Sequence, residues 1–453
     1  MGFGGLLLCV LLVAARGQPE CRLSESSPCT LAELPKDVST LILPGGNTRC
    51  IFSDSPKYGF QVVPGVADKL LLFFQGGGAC FNDASTQTAT PCLTRVVQQP
   101  LVGVFDRESL TNPFRDYTVV HINYCSGDLH VGNVARWYLD KAGQRVEQRG
   151  YANALSALKW TRSHLGRLSS LVVAGSSTGA LGAQLWAPAL LRSLSFDAAS
   201  LLIDSDLGIF PRHAEGPLLT GFGACETGLF SSMPRLQQRC TARELSIEEV
   251  FEDVATSFPR VTTAAITSTG DKMQVRFYNA VCMANMLPER LTAEGFHARL
   301  LERLEAYNRH PNFVTFLISG ESNYFLPLKA YFSTEVEGIP LPRWLDDLPE
   351  GPGQSISSRC HGSCWKLAKT WSLSRPPISA SEDLPTDVAP HGEDDPLIKI
   401  AAPAPSLPWW SNSYYAALVL TSLLLCAGAA REHRKPAVTS FASRVLSQES
   451  DSE

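Results

Sequence analysis

Five apolar runs stand out between residues 69 and 320, each followed by glycine, serine or another turn-forming residue. They are KLLLFFQGG (69–77), YTVVHINYC (117–125), SSLVVAGSS (169–177), ASLLIDSD (199–206) and NFVTFLISG (312–320). Each is short and nearly continuous in its apolar core, as expected of a strand buried on both faces. Between them, YANALSALKWTRSHL (151–165) and GFHARLLERLEAYNRH (295–310) place apolar residues at helical spacing. Strands alternating with helices over residues 31–373 predict an α/β fold, with a mostly parallel sheet and helices on both faces. No internal repeat is visible.

The ends of the chain follow different patterns. An apolar core from Leu6 to Ala14 runs into small and polar residues between Ala15 and Gln18. This predicts a secretory signal peptide over residues 1–17. Residues 374–408 turn proline-rich and acidic (SRPPISASEDLPTDVAPHGEDDP), a stalk rather than a domain. Residues 414–430 (YYAALVLTSLLLCAGAA) are apolar again. A spanning helix needs about 17–25 residues, so this segment predicts one membrane helix. Trp409, Trp410, Tyr414 and Tyr415 lie on one flank and Arg431, Arg434 and Lys435 on the other. That asymmetry puts the tail, residues 431–453, in the cytoplasm and the main domain in the lumen or outside the cell.

Charge and cysteines narrow the classes further. A net charge of −5 without basic runs gives no reason to expect a nucleic-acid partner. The pair in CHGSC (Cys360 to Cys364) has no second pair at finger spacing, so no metal site is predicted, and no cofactor motif is present. Setting aside Cys9 and Cys426 leaves eleven of the thirteen cysteines on the oxidising side. Disulfides are expected there, with at least one thiol left over. Sequence alone leaves the pairing open, and no N-x-S/T sequon occurs.

Candidate chemistry begins at VVAGSSTGALGA (172–183), where a β-branched run ends in Gly-Ser-Ser-Thr-Gly and small helix formers follow. A G-x-S-x-G turn between a strand and a helix is the setting of a nucleophile elbow, with Ser177 at its apex. The run 69–77 ends in Gly76 and Gly77, and Gly78 follows directly. Such glycines let backbone N–H groups face a developing oxyanion, and the residue after the nucleophile, Thr178, supplies another.

Taken together, QGGGACFN, INYCSGDLHVGN, NALSALKW, AGSSTGALGA and LLIDSDLG resemble the successive signature blocks of the pectin acetylesterase and Notum family. The resemblance spans roughly residues 40–348. It implies an α/β-hydrolase fold and deacylation of carboxylic esters: acetyl groups on pectin, or a fatty acyl group on a secreted signalling protein. The substrate it implies is an acylated polysaccharide or acylated protein. Carried over, Ser177 is the nucleophile, and the amides of Gly77, Gly78 and Thr178 form the oxyanion hole. Cys80 and Cys92 match a short-range disulfide, and Asp128 matches the acid of Tyr-Cys-x-x-Asp. The family's catalytic acid sits in an Asp-x-x-Gln segment, matched by Asp271 and Gln274 in STGDKMQVRFYN. Its histidine falls a few residues before a Leu-Pro pair. In FLISGESNYFLPL that position holds Asn323.

An asparagine amide does not take up a proton at neutral pH, and a serine hydroxyl without a base is a poor nucleophile. His130 and Asp206 are possible substitutes, His130 as base and Asp206 as second acid; each also has a structural reading, as a hydrogen-bonding residue and a loop cap. His297, His310 and His361 have no motif context. The expected function is an ester hydrolase with a degraded or rearranged triad. The alternative is an inactive relative that binds a carbohydrate, an acyl chain or a protein at the cell surface.

Overall fold

The apolar runs become neighbouring strands of one sheet in a computed structural model that describes residues 18–88, 92–346, 348 and 359–360. In chain order the strands are β1 (Glu20–Arg22), β2 (Thr40–Leu43), β3 (Phe60–Val63), β4 (Val66–Phe74), β5 (Tyr117–Ile122), β6 (Val134–Leu139) and β7 (Arg145–Gln148). Then come β8 (Leu168–Ser176), β9 (Phe196–Asp204), β10 (Thr262–Ser268), β11 (Phe313–Ile318), β12 (Glu335–Val336), β13 (Ile339–Pro340) and β14 (Arg359–Cys360). Ten of them form the main sheet in the order β1-β2-β3-β5-β4-β8-β9-β10-β11-β14. Only β3 runs antiparallel to its neighbours β2 and β5. The other pairings are parallel. The fold is α/β with a mostly parallel sheet, as the alternation of runs implied.

The continuous apolar character of the strands follows from burial on both sides. Leu70, Leu72 and Phe74 of β4 join Val173, Leu201 and Phe313 in one core. Leu71 and Phe73 point the other way, to Val172, Leu202, Ile266 and Phe316. Alternate side chains of a strand face opposite sides, so a strand covered twice has few polar positions to spare. The helices are α1 (Asp83–Thr88), α2 (Gly150–His164), α3 (Thr178–Ser193), α4 (Glu215–Gly221), α5 (Pro234–Thr241), α6 (Ile247–Ser257), α7 (Lys272–Ala284), α8 (Ala293–Tyr307) and α9 (Leu341–Asp346). They cover the two faces unequally. Helices α2 to α8 supply the first core; the second is closed by Trp344 of α9, Phe105, Tyr331 and extended chain.

Four disulfides staple the described residues: Cys21–Cys29, Cys50–Cys125, Cys80–Cys92 and Cys225–Cys240. Cys282 is a buried free thiol. Such a set belongs to an oxidising compartment.

The described residues fall within one compact unit. The expected signal peptide (1–17), stalk (374–408), membrane segment (414–430) and tail (431–453) lie outside the described residues. Among the described residues, no helix is long and apolar enough to cross a membrane.

Candidate active site

Strands β4, β8, β9, β10 and β11 are consecutive in the sheet and parallel. Their carboxyl ends therefore lie along one edge, where open α/β sheets place their sites. In that order the edge carries Gly76 to Gly78, Ser177, Ser205 and Asp206, Asp271, and the loop with Asn323. Residues nearly 250 positions apart in the chain meet there.

Ser177 joins β8 to α3 with φ 53° and ψ −131°. A non-glycine residue in so sparsely populated a region costs about 1–3 kcal/mol, recovered from surrounding contacts. Its N–H donates to the Asp204 carbonyl at 2.8 Å, and its carbonyl accepts from Ala180 N–H at 2.8 Å. The flanking glycines are a steric requirement. A Cβ on Gly175 would lie 2.1 Å from the Gly179 carbonyl oxygen, and one on Gly179 would lie 2.2 Å from that of Phe74. Ser177 is half-buried.

The glycine loop packs directly against this elbow. A Cβ on Gly76 would stand 2.4 Å from the Ser176 carbonyl oxygen. Gly77 adopts φ 155° and Gly78 φ 72°. The Gly77 carbonyl accepts from Leu93 N–H at 2.8 Å, and the Cys80–Cys92 disulfide closes the segment behind it. The Gly77 N–H donates to Thr178 Oγ1 at 3.0 Å. Thr178 itself is buried.

Asp271 ends the turn after β10 and caps α7. Its Oδ1 accepts the N–H groups of Met273 (2.8 Å) and Gln274 (3.0 Å). Its Oδ2 accepts Gln274 Nε2 at 3.0 Å and Asn323 Nδ2 at 2.7 Å. Burial raises this carboxyl to about 6, against the pull of the four donors. Asn323 is held from its other side as well, because Ser205 Oγ donates to its backbone carbonyl. The next residues are pinned by Asp204, which accepts Phe325 N–H at 2.9 Å and Leu326 N–H at 2.8 Å. Burial pushes Asp204 up to about 7.

The model of the pectinacetylesterase family matches residues 44–268. The chain belongs to the pectin acetylesterase and Notum family. The match takes in the glycine loop, the Ser177 elbow and β9, and ends three residues before Asp271. Among solved structures, the Wnt deacylase Notum from Drosophila is similar with a TM-score of 0.48 at 17% identity, covering 70% of this chain and 96% of that chain. No curated protein sequence matches. A pectin acetylesterase-family chain carries the scaffold of an acyl esterase, so the chemistry turns on what stands around Ser177.

The family site brings in some expected residues and leaves others apart. His130 is buried, with Nε2 2.8 Å from the Gln75 carbonyl and its ring against Phe74 and Tyr124. Only an Nε2–H can donate to a carbonyl, so that nitrogen holds the loop rather than accepting a proton. Burial pushes this imidazole down to about 4. Asp206 Oδ1 caps its own turn through Gly208 N–H at 3.0 Å, and burial raises it to about 8. Asp128 accepts Ser126 Oγ and Gly150 N–H, at 2.6 and 2.7 Å. Among the described residues, the hydrogen bonds of Ser177 and Asp271 include none to a histidine. His297 reaches the turn from outside, with Nδ1 3.1 Å from the Thr269 carbonyl.

Two further residues matter that the sequence reading passed over. Asp204 and Ser205 anchor the Asn323 loop, yet only Asp206 was singled out from LLIDSDLG. An acid closing an otherwise apolar strand was the available signal. Among the described residues, no cluster of histidine, cysteine and carboxylate side chains could hold a metal ion.

Proposed function

We propose that this chain is an acyl-ester hydrolase of its family that keeps nucleophile, acid and oxyanion loop but lacks a base, and so turns over slowly. The observation that carries the reading is the 2.7 Å bond from Asn323 Nδ2 to Asp271 Oδ2. The carboxylate orients an amide, which cannot take up the serine proton. In the reaction, Ser177 Oγ attacks the acyl carbonyl and its proton passes to water. The carbonyl oxygen becomes an oxyanion facing the Gly78 and Thr178 amides. Collapse expels the alcohol, and water then hydrolyses the acyl-enzyme. Without a base the surviving advantage is about 10³–10⁴ over water, from oxyanion contacts and binding. The substrate is an acylated polysaccharide or acylated protein.

The test is hydrolysis of p-nitrophenyl acetate and octanoate by purified full-length protein, beside fluorophosphonate labelling of Ser177. Slow hydrolysis with slow labelling is expected. Rapid turnover that dies with His130→Ala would replace the reading with a rebuilt triad. No hydrolysis at all, with an acyl or glycan ligand still bound, would leave a binding protein.

We also infer export and a single C-terminal membrane helix at residues 414–430, from the apolar segments and their flanks. The four disulfides of the domain support export. Protease added outside sealed endoplasmic-reticulum vesicles should remove only the tail beyond Arg431. Digestion of the Ser177 domain would reverse the orientation.

A further inference from the structure

We propose that Thr178 is a second lesion of the site: its hydroxyl occupies the Gly77 N–H, one of the three amides of the oxyanion loop. This rests on the esterase reading above. The Gly77 N–H lies 3.0 Å from Thr178 Oγ1. An amide has one proton, so a bond held by the threonine is withheld from the substrate oxygen. Gly78 and Thr178 keep N–H groups with no acceptor among the described residues, which leaves two donors of three.

The packing makes this contact hard to release. Thr178 opens α3 directly after the strained Ser177, and it is 3% exposed. Its χ1 is restricted by branching at Cβ. The glycine loop is closely packed: a Cβ on Gly76 would lie 2.4 Å from the Ser176 carbonyl oxygen, and one on Gly77 2.7 Å from Leu93 Cδ1 and 2.8 Å from Tyr124 Cδ1. Both partners are therefore fixed by neighbours other than each other. For an oxyanion to reach Gly77, the hydroxyl must rotate away inside a full pocket. A substrate carbonyl in the ground state makes little demand on this amide, whereas the tetrahedral intermediate does. The block therefore falls on kcat more than on KM. Thr178 acts through Gly77 and is a positioning residue.

The experiment is a set of variants at 178 in full-length protein carrying Asn323→His, with hydrolysis of p-nitrophenyl acetate as readout. Removing one oxyanion donor costs about 10²–10³ in kcat elsewhere. Freeing one here should raise kcat by about ten- to a hundredfold, with KM little changed. Thr178→Ala and Thr178→Val both remove the hydroxyl and should both gain, Val showing that the hydroxyl rather than bulk is responsible. Thr178→Ser keeps the hydroxyl and should gain far less. A second arm needs no turnover: butylboronic acid forms a tetrahedral adduct on Ser177, and Thr178→Ala should tighten its binding in the native Asn323 background. An inactive Asn323→His protein bears on the base position alone, and the boronate arm then decides. Looser boronate binding in Thr178→Ala, or a fall in kcat, would make the hydroxyl a donor to the oxyanion and overturn the proposal. Equal gains for Ala and Ser would overturn it too.

Discussion

Asn323 Nδ2 sits 2.7 Å from Asp271 Oδ2, so the amide makes the contact an imidazole N–H would make to a catalytic carboxylate. The contact is not incidental to a loose loop. Ser205 holds the Asn323 carbonyl and Asp204 holds the two amides that follow Tyr324. Gly270 N–H also donates to the Gly320 carbonyl at 2.8 Å, which ties the acid's turn to the same loop. The loop is thus held firmly beside Asp271, and the side chain it presents there lacks the basicity of an imidazole.

Asn323→His should therefore raise ester hydrolysis. A full triad base contributes on the order of 10⁶ in kcat in a serine protease, so even partial alignment should give a gain of about 10²-fold or more. Adding Asp271→Asn should remove most of that gain, since the imidazole would lose the group that fixes its tautomer. Steady-state rates with p-nitrophenyl acetate decide the matter. A folded Asn323→His protein with no gain would count against the assigned base position.

Triad members act as a unit, and losses are not additive once one member is missing. Ser177→Ala in the native chain should then stop acylation yet cost a smaller factor in hydrolysis than in the Asn323→His background, where it should cost about 10² or more. Measuring both pairs of rates tests the point. A loss in the native background as large as in the Asn323→His background would mean that Ser177 already has a base.

Gly77→Val should destabilise the domain. The φ of 155° disfavours an L side chain, and a Cβ would lie 2.7 Å from Leu93 Cδ1 and 2.8 Å from Tyr124 Cδ1. Overpacking of this kind costs about 1–3 kcal/mol. Urea unfolding of the variant beside the native chain gives the number. Unchanged stability together with unchanged boronate binding would remove the glycine loop from the site.

Stability should fall as pH rises from 5 to 8.5. Burial holds Asp271, Asp204 and Asp206 at about 6, 7 and 8. An unfolded aspartate titrates near about 3.9. With folded values above the unfolded one, the folded state binds more protons across this window. The stabilisation is full below about pH 4 and is lost as pH rises through the folded values. Asp206→Asn should flatten the upper part of the profile, between about 7 and 8.5, because an amide does not ionise. Urea midpoints measured across this range supply the check, and a flat native profile would contradict burial of these carboxyls.

Much of the fold was legible in the chain because the strands are buried twice. A strand with two covered faces leaves a continuous apolar run, and each of the five such runs lies in the main sheet. The elbow was legible for a different reason: Gly175 and Gly179 are demanded by carbonyl oxygens little more than 2 Å from any Cβ, so the constraint is written into local sequence. Short, locally determined features of this kind survive translation into one dimension.

By itself the sequence determined the α/β class, the serine at its turn and the glycine loop, and it pointed to Asn323 as the expected base position. The tertiary structure decided how these act on one another. Parallel packing of β4, β8, β9, β10 and β11 brings five strand ends to one edge, and no spacing in the chain encodes that neighbourhood. It set Asn323 against Asp271, turned His130 Nε2 onto the Gln75 carbonyl, and placed the Thr178 hydroxyl on the Gly77 amide. Hydrogen bonds are satisfied by whichever partner lies within about 3 Å, and that choice exists only once the chain has folded.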